Sequence, residues 1–213
     1  MVKIVIPKEI KEVLDKILEN GFEAYLVGGA VRDYMLHRRS NDFDIATNAL
    51  PADIIKIFGP SYKTIQYGCY NMRIGSYNVD ITTYRKEEAY EGRNPSKITY
   101  TNNLLLDAER RDFTINAFYM NRNEEIIDLY DGQKDIKRKM IRAIGNPTTR
   151  VREDPLRILR AVRFASIYKF SLEKNLANAI KRDKKMLNEL SLTRIKRYFT
   201  CQWLYFIKAI KFT

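Results

Sequence analysis

The chain has 213 residues, 45% of them hydrophobic and 30% charged. That is enough for one large domain or two small ones with a real core, and no run of about 18 apolar residues offers a membrane span. Lys and Arg number 38 against 26 acids, a net charge of +12 that favours a polyanionic partner.

Helical spacing over 7–20 puts Ile10, Val13, Leu14, Ile17 and Leu18 in one stripe, and Asn20-Gly21 ends it. Residues 22–27 read as a strand, Gly28-Gly29 as a turn and 30–36 as a short helix. A second strand follows at 43–46. The stretch 47–51, with Pro51 at its end, caps a helix through Phe58. Segments 62–67, 70–76 and 78–84 read as successive strands. The polar stretch 86–103 reads as a mobile loop, 104–116 as a helix and 125–129 as a short strand closed by Asp131-Gly132. From Asp135 the pattern turns mostly helical, with helices over 147–165 and 172–190. A soft boundary falls near Gly145-Asn146-Pro147.

After Glu189 no acid remains, while Tyr198, Phe199, Trp203, Tyr205, Phe206 and Phe212 stand among Arg194, Lys196, Arg197, Lys208 and Lys211. Two readings stay open: a basic, aromatic helix that binds RNA or docks on another chain, or a truncated or frameshifted end. The two cysteines, Cys69 and Cys201, make neither a metal spacing nor a disulfide framework, so a reducing cytoplasm is expected. His37 is the single histidine. A Ser-His-Asp or Cys-His mechanism would have to use it, and a His-rich zinc site has no ligands. The first residues mix charges without a long apolar run, so no signal peptide is expected.

The chemistry concentrates in four places. Asp42 and Asp44, in Asn41-Asp42-Phe43-Asp44-Ile45, are one residue apart; on a strand both carboxylates face one side while Phe43 and Ile45 face the core. Hard oxygen ligands beside a glycine turn suit Mg²⁺-assisted phosphoryl or nucleotidyl transfer. A neighbouring strand brings Asp80 beside them, and three crowded carboxylates favour a cation. Gly28-Gly29, between a strand and a helix start, allows close approach of phosphate. Arg110-Arg111-Asp112-Phe113-Thr114-Ile115-Asn116-Ala117 offers phosphate-binding arginines and sugar-binding Asp and Asn. Asp154 and Arg157 combine an acceptor with a fork of donors that can read a base edge. Arg157, Arg160 and Arg163 follow at i, i+3 and i+6, near one helix face.

Together, Leu26-Val27-Gly28-Gly29-Ala30-Val31-Arg32-Asp33, Asp42-Phe43-Asp44-Ile45-Ala46-Thr47, the Arg110–Ala117 stretch and Glu153-Asp154-Pro155-Leu156-Arg157 resemble the class II tRNA nucleotidyltransferase/poly(A) polymerase family. The resemblance covers roughly residues 20–190. It implies an α+β fold: a polymerase-β-type nucleotidyltransferase head with a small mixed sheet (1–145), then an all-α neck (146–200) and an atypical tail (201–213). It implies that Asp42 and Asp44 are the metal-binding catalytic pair for Mg²⁺ and Asp80 the third carboxylate. Gly28, Gly29 and Arg32 match the triphosphate motif, and Arg111, Asp112 and Asn116 the ribose and triphosphate motif. Asp154 and Arg157 match the protein template that selects CTP and ATP; Arg160 and Arg163 are counted with the nucleotide-binding set. Residues 85–106 are similar to the flexible element of C-to-A switching.

The implied activity is template-independent addition of CMP and AMP to tRNA 3′ ends, that is, CCA addition or repair by a cytoplasmic enzyme. Poly(A) synthesis or addition of only CC or only A remains open within the class, and a catalytically silent RNA-binding fragment outside it. Where the family usually shows Glu-Arg-Ile near the end of the neck, this chain has Thr193-Arg194-Ile195. Body and tail domains that follow in the family are not part of this sequence. Which nucleotides are added and how chains associate stay open.

Overall fold

The structure, a computed structural model, describes residues 5–60, 68–91 and 94–190. The chain divides into two compact units. One comprises Met1–Glu87, Ile98–Arg111 and Asn116–Leu129, the other Glu88–Lys97, Asp112–Ile115 and Tyr130–Thr213. The expected strand at 62–67, the Thr193-Arg194-Ile195 sequence and the aromatic tail lie outside the described residues. No helix among the described residues is long and apolar enough to cross a membrane.

The first unit opens with α1 (Lys8–Glu19), which buries Ile10, Val13, Leu14 and Ile17. Leu18, one step round the helix, is 42% exposed and falls outside the expected stripe. Then come β1 (Ala24–Val27), α2 (Gly29–Met35), β2 (Asp42–Thr47), α3 (Pro51–Phe58), β3 (Cys69–Ile74) and β4 (Tyr77–Thr83). The chain continues through β5 (Arg85–Glu91), β6 (Asn94–Tyr100), α4 (Leu104–Glu109), β7 (Phe118–Met120) and β8 (Ile126–Asp128).

Six strands form one mixed sheet in the order β3-β4-β2-β1-β7-β8. The β2–β4 pair is parallel and the other pairs are antiparallel. Register then sorts the side chains. Leu26, Ile45, Ile81 and Phe118 are buried, and each such side chain contributes about 1.5–3 kcal/mol relative to exposure. Buried Thr83 donates to the carbonyl of Ala49 at 2.8 Å, and Thr47 accepts from the Ala49 amide at 3.0 Å. The turn after β2 is thereby fixed without exposing its polar groups.

Three expectations change here. The polar stretch read as a loop is largely the two-stranded pair β5–β6. Strand pairing satisfies backbone groups whatever the side chains, and the Arg85 amide donates to Asp107 at 3.3 Å while the Thr101 amide donates to the Tyr84 carbonyl at 3.0 Å. The helix expected over 104–116 stops at Glu109, followed by a turn and a 3₁₀ segment at Thr114–Asn116. Strand β7 was not expected at all; it is the short apolar run after Asn116.

The second unit explains the early end of that helix. The Thr114 amide donates to the Arg142 carbonyl at 3.0 Å, and the Ile144 amide to the Asp112 carbonyl at 3.2 Å. Backbone groups committed to that bridge between Phe113 and Ala143 are not available to a helix. The unit is mainly helical: α5 (Gly132–Lys137), α6 (Pro147–Glu153), α7 (Leu156–Tyr168) and α8 (Lys174–Asp183). A small parallel pair, β9 (Met140–Ile141) with β10 (Ser171–Leu172), is added to the expected helices. Asn146 caps α6, accepting from the Thr148 and Thr149 amides at 2.9 and 3.3 Å, with Pro147 in the first turn. The single helix expected over 147–165 is two, because Pro155 has no amide proton and forces Asp154 into an extended conformation (φ −143, ψ 101).

Candidate nucleotidyl-transfer site

On β2, exposed Asp42 and Asp44 alternate with buried Phe43 and Ile45, as the period of two requires. In the parallel register Asp44 stands beside Asp80 and Asp42 beside Asn78. Asn78 donates to Asp42 Oδ1 at 2.7 Å, and Asn71, opposite Asp80 on β3, donates to Asp80 Oδ1 at 2.5 Å. Among the described residues no group of three or more His, Cys, Asp or Glu side chains could hold a metal ion. The parallel register sets Asp80 beside Asp44 on the neighbouring strand, and Asn71 engages Asp80 from the other side. Asp42 and Asp44 themselves remain a pair of hard, exposed oxygen donors on one face of a strand, a donor set that fits Mg²⁺.

Gly28 closes on this pair. Its backbone (φ 67, ψ −132) suits glycine alone. A Cβ there would lie 3.1 Å from Asp44 Oδ2 and 3.8 Å from Arg111 Nη1. The missing side chain lets a carboxylate, a guanidinium and the turn before α2 meet. Gly29 is the first residue of that helix, and a Cβ on it would make an ordinary 3.4 Å contact with Arg32.

Arg32 is buried, 6% exposed. Its Nη1 donates to Asn116 Oδ1 at 2.5 Å, and its Nε and Nη2 donate to Asp33 Oδ1 at 3.1 Å each. Two expected site residues 84 positions apart are thus brought together. Arg111 sits against buried Asp107 and Tyr119, neither of which the sequence reading singled out. Burial alone would raise the Asp107 carboxyl, but Arg110, Arg111 and the Tyr119 hydroxyl outweigh it and hold the group at about 2. Burial raises the Tyr119 phenol, with the Asp107 charge adding to it. The only available sequence signal was the i, i+4 spacing of Asp107 and Arg111.

The carboxylates face away from the apolar side of the sheet. There a cavity of about 330 Å³ is lined by Leu26, Ala30, Tyr34, Phe43 and Met120 among others, and by neither Asp42 nor Asp44.

The remaining expected residues lie in the second unit. Asp112 accepts from Arg160 Nε at 2.5 Å and from the Phe113 amide at 2.8 Å. Asp154 accepts from the Leu156 amide at 3.1 Å, at the start of α7. Arg157, 7% exposed, donates from Nη1 to Glu153 Oε2 and to the Arg150 carbonyl, both at 2.7 Å. Arg163 is exposed. The three arginines of α7 therefore do not present one common surface: burial grades from Arg157 outward, with Arg160 held on Asp112.

A six-stranded mixed sheet, a glycine turn opening a helix and a carboxylate pair on the adjacent strand define a polymerase-β-type nucleotidyltransferase head. The chain belongs to the family of the poly A polymerase head domain, whose profile matches residues 24–142. It is 48% identical over 189 residues to a CCA-adding enzyme of Lactobacillus delbrueckii subsp. bulgaricus, covering 88% of this chain and 48% of that one. To the CCA-adding enzyme of Ligilactobacillus salivarius it is 44% identical over 195 residues, 89% of this chain and 48% of the relative. The chain thus spans about half the length of the curated relatives it matches. Among solved structures it is similar to the Bacillus stearothermophilus CCA-adding enzyme in complex with CTP, with a TM-score of 0.82 and 34% identity over 91% of this chain and 48% of that one. A tRNA nucleotidyltransferase complexed with a primer tRNA and an incoming ATP analog gives a TM-score of 0.73 at 27% identity, over 95% of this chain and 59% of that one.

Proposed function

We propose that the chain carries the head and neck of a metal-dependent, template-independent nucleotidyltransferase that adds CMP and AMP, from CTP and ATP, to tRNA 3′ ends. The observation that carries this reading is the meeting of Gly28, Asp44 and Arg111 beside the exposed Asp42–Asp44 pair. The Lactobacillus and Ligilactobacillus relatives named as CCA-adding enzymes, and neighbours solved with CTP, an ATP analog and primer tRNA, support it.

In this reading residues 1–145 form the head, 146–200 the neck and 201–213 the tail. Asp42 and Asp44 would hold Mg²⁺, which would lower the pKa of an attacking hydroxyl and offset charge on the leaving oxygen. Asp80, held by Asn71, adds negative charge beside Asp44 and keeps that part of the strand face anionic. The Gly28 turn brings backbone close to the triphosphate, and Arg111 meets its charge from the other side. Arg32 and Asn116 brace each other and fix the start of α2. Positioning and electrostatics then do the work expected for in-line phosphoryl chemistry, in which the RNA 3′-hydroxyl attacks the α-phosphate and pyrophosphate leaves. Asp154 and Arg157, at the break between α6 and α7, select the base, with Arg160 and Asp112 supporting that region. Partners are the tRNA 3′ end and the two nucleotides, in keeping with the excess of basic residues.

The test is release of pyrophosphate from CTP and ATP with Mg²⁺ and a tRNA lacking its 3′ end. Product lengths and labelled nucleotides separate CCA addition from repeated A addition. Salt-sensitive RNA binding without pyrophosphate release would overturn the proposal.

A further inference from the structure

Arg111 is gripped by two side chains outside the four motifs' expected roles. Asp107, in α4, is wholly buried. Its Oδ2 accepts from Arg111 Nη2 at 3.0 Å and from the Tyr119 hydroxyl at 2.6 Å. The Tyr119 hydroxyl oxygen also accepts from Arg111 Nε at 3.0 Å. The Arg111 Cζ lies 5.0 Å from the centroid of the Tyr119 ring. Two of the three guanidinium nitrogens are thereby fixed, and the third, Nη1, is the one near Gly28. Register reinforces the arrangement: Tyr119 on β7 lies opposite Val27 on β1, the residue before Gly28.

Charge fits the same picture. Asp107 Oδ1 pairs with Arg110 at 2.7 Å, so one carboxylate serves two guanidiniums and the trio keeps one positive charge. An arginine held in a planar fork loses less conformational freedom when an anion arrives. The same carboxylate receives the Arg85 amide at the root of the β5–β6 pair, which ties the fork to a strand as well as to α4.

We propose that Asp107 and Tyr119 are positioning residues that aim Arg111 at the triphosphate beside the Gly28 turn. This rests on the reading of Arg111 as a phosphate ligand. The hydroxyl of Tyr119 sets the rotation of the guanidinium, and the Asp107 carboxylate sets its depth.

The test uses inorganic pyrophosphate and CTP as probes, with Mg²⁺, and titration calorimetry on the 213-residue chain. Tyr119→Phe keeps the ring and removes the hydroxyl. It should weaken both probes by about tenfold, the scale of one misplaced charge-assisted hydrogen bond, and leave the CTP-to-UTP preference unchanged. Asp107→Asn should weaken both probes further. A structural role alone would lower Tm and leave the affinity of the folded protein unaltered, which would overturn the proposal. If Asp107→Asn does not fold, Tyr119→Phe decides. Arg111→Ala separates the two readings. Weakened pyrophosphate binding in Arg111→Ala with wild-type binding in Tyr119→Phe refutes positioning alone. Wild-type pyrophosphate binding in Arg111→Ala refutes the phosphate role, and the positioning role falls with it.

Discussion

Replacing Gly28 by Ala perturbs the site at its tightest point. Two effects add. The backbone angles (φ 67, ψ −132) leave the regions open to a residue with a Cβ, which costs about 1–3 kcal/mol. The new methyl would also stand 3.1 Å from Asp44 Oδ2, closer than a comfortable contact, so the carboxylate must give way by a few tenths of an ångström. A loss near 2 kcal/mol corresponds to a fall in Tm of about 4–8 °C for a chain of this size. Displacement of reacting groups by about 1 Å costs about a hundredfold in rate, so a loss of at least about tenfold in turnover is expected once Asp44 and the turn both shift. The assay pairs thermal unfolding with pyrophosphate release at saturating CTP. Gly29→Ala is the internal control for the unfolding measurement. It has ordinary helical surroundings and should stabilise the chain by up to about 1 kcal/mol. A Gly28→Ala protein with wild-type Tm and turnover would refute the argument that the turn needs an absent side chain.

Asp42→Ala removes an exposed carboxylate whose partner is the Asn78 amide; Tm should stay within about 2 °C, in line with surface substitutions of about 0.5 kcal/mol, while nucleotide addition disappears. Arg157→Ala should relax the choice among nucleotides and also cost about 1–3 kcal/mol, because Glu153 and the Arg150 carbonyl lose a buried donor; unfolding in urea and misincorporation of UTP read the two effects separately. The Asp107 carboxyl, held at about 2 against an ordinary 3.8, contributes about 2 kcal/mol of stability that is present above pH 3.8 and lost as pH falls toward 2. A plot of unfolding free energy against pH should steepen in that window in the wild type and flatten there in Asp107→Asn.

Much of this site was legible because its residue types are constrained locally. The alternation of Asp42, Phe43, Asp44 and Ile45 requires no knowledge of the rest of the chain, and it appears in the strand as written. Gly28 before a helix start is equally local. The helices of the second unit follow from apolar spacing, although the break at Pro155 was signalled by the proline itself and passed over. The strands that escaped detection, β5, β6 and β7, owe their existence to pairing partners elsewhere in the sequence. A polar hairpin has no apolar alternation to reveal it, and a three-residue strand has too few positions to show any period.

The same distinction explains why Asp107 and Tyr119 were invisible. An aspartate four residues before an arginine is common on solvated helices, where it is worth a few tenths of a kcal/mol. Nothing in the local pattern tells such a pair from one whose carboxylate is wholly buried. What makes this pair different is β7, which delivers Tyr119 to the far side of the guanidinium and closes the carboxylate off from water. Once water is excluded, an unpaired Asp107 would be far costlier than it is at the surface. The charge of Arg111 therefore serves the fold, together with that of Arg110, as well as the chemistry proposed for it. Its orientation, set from eight residues further along the chain by a Tyr119 hydroxyl that accepts from Arg111 and donates to Asp107, is information that only tertiary structure holds.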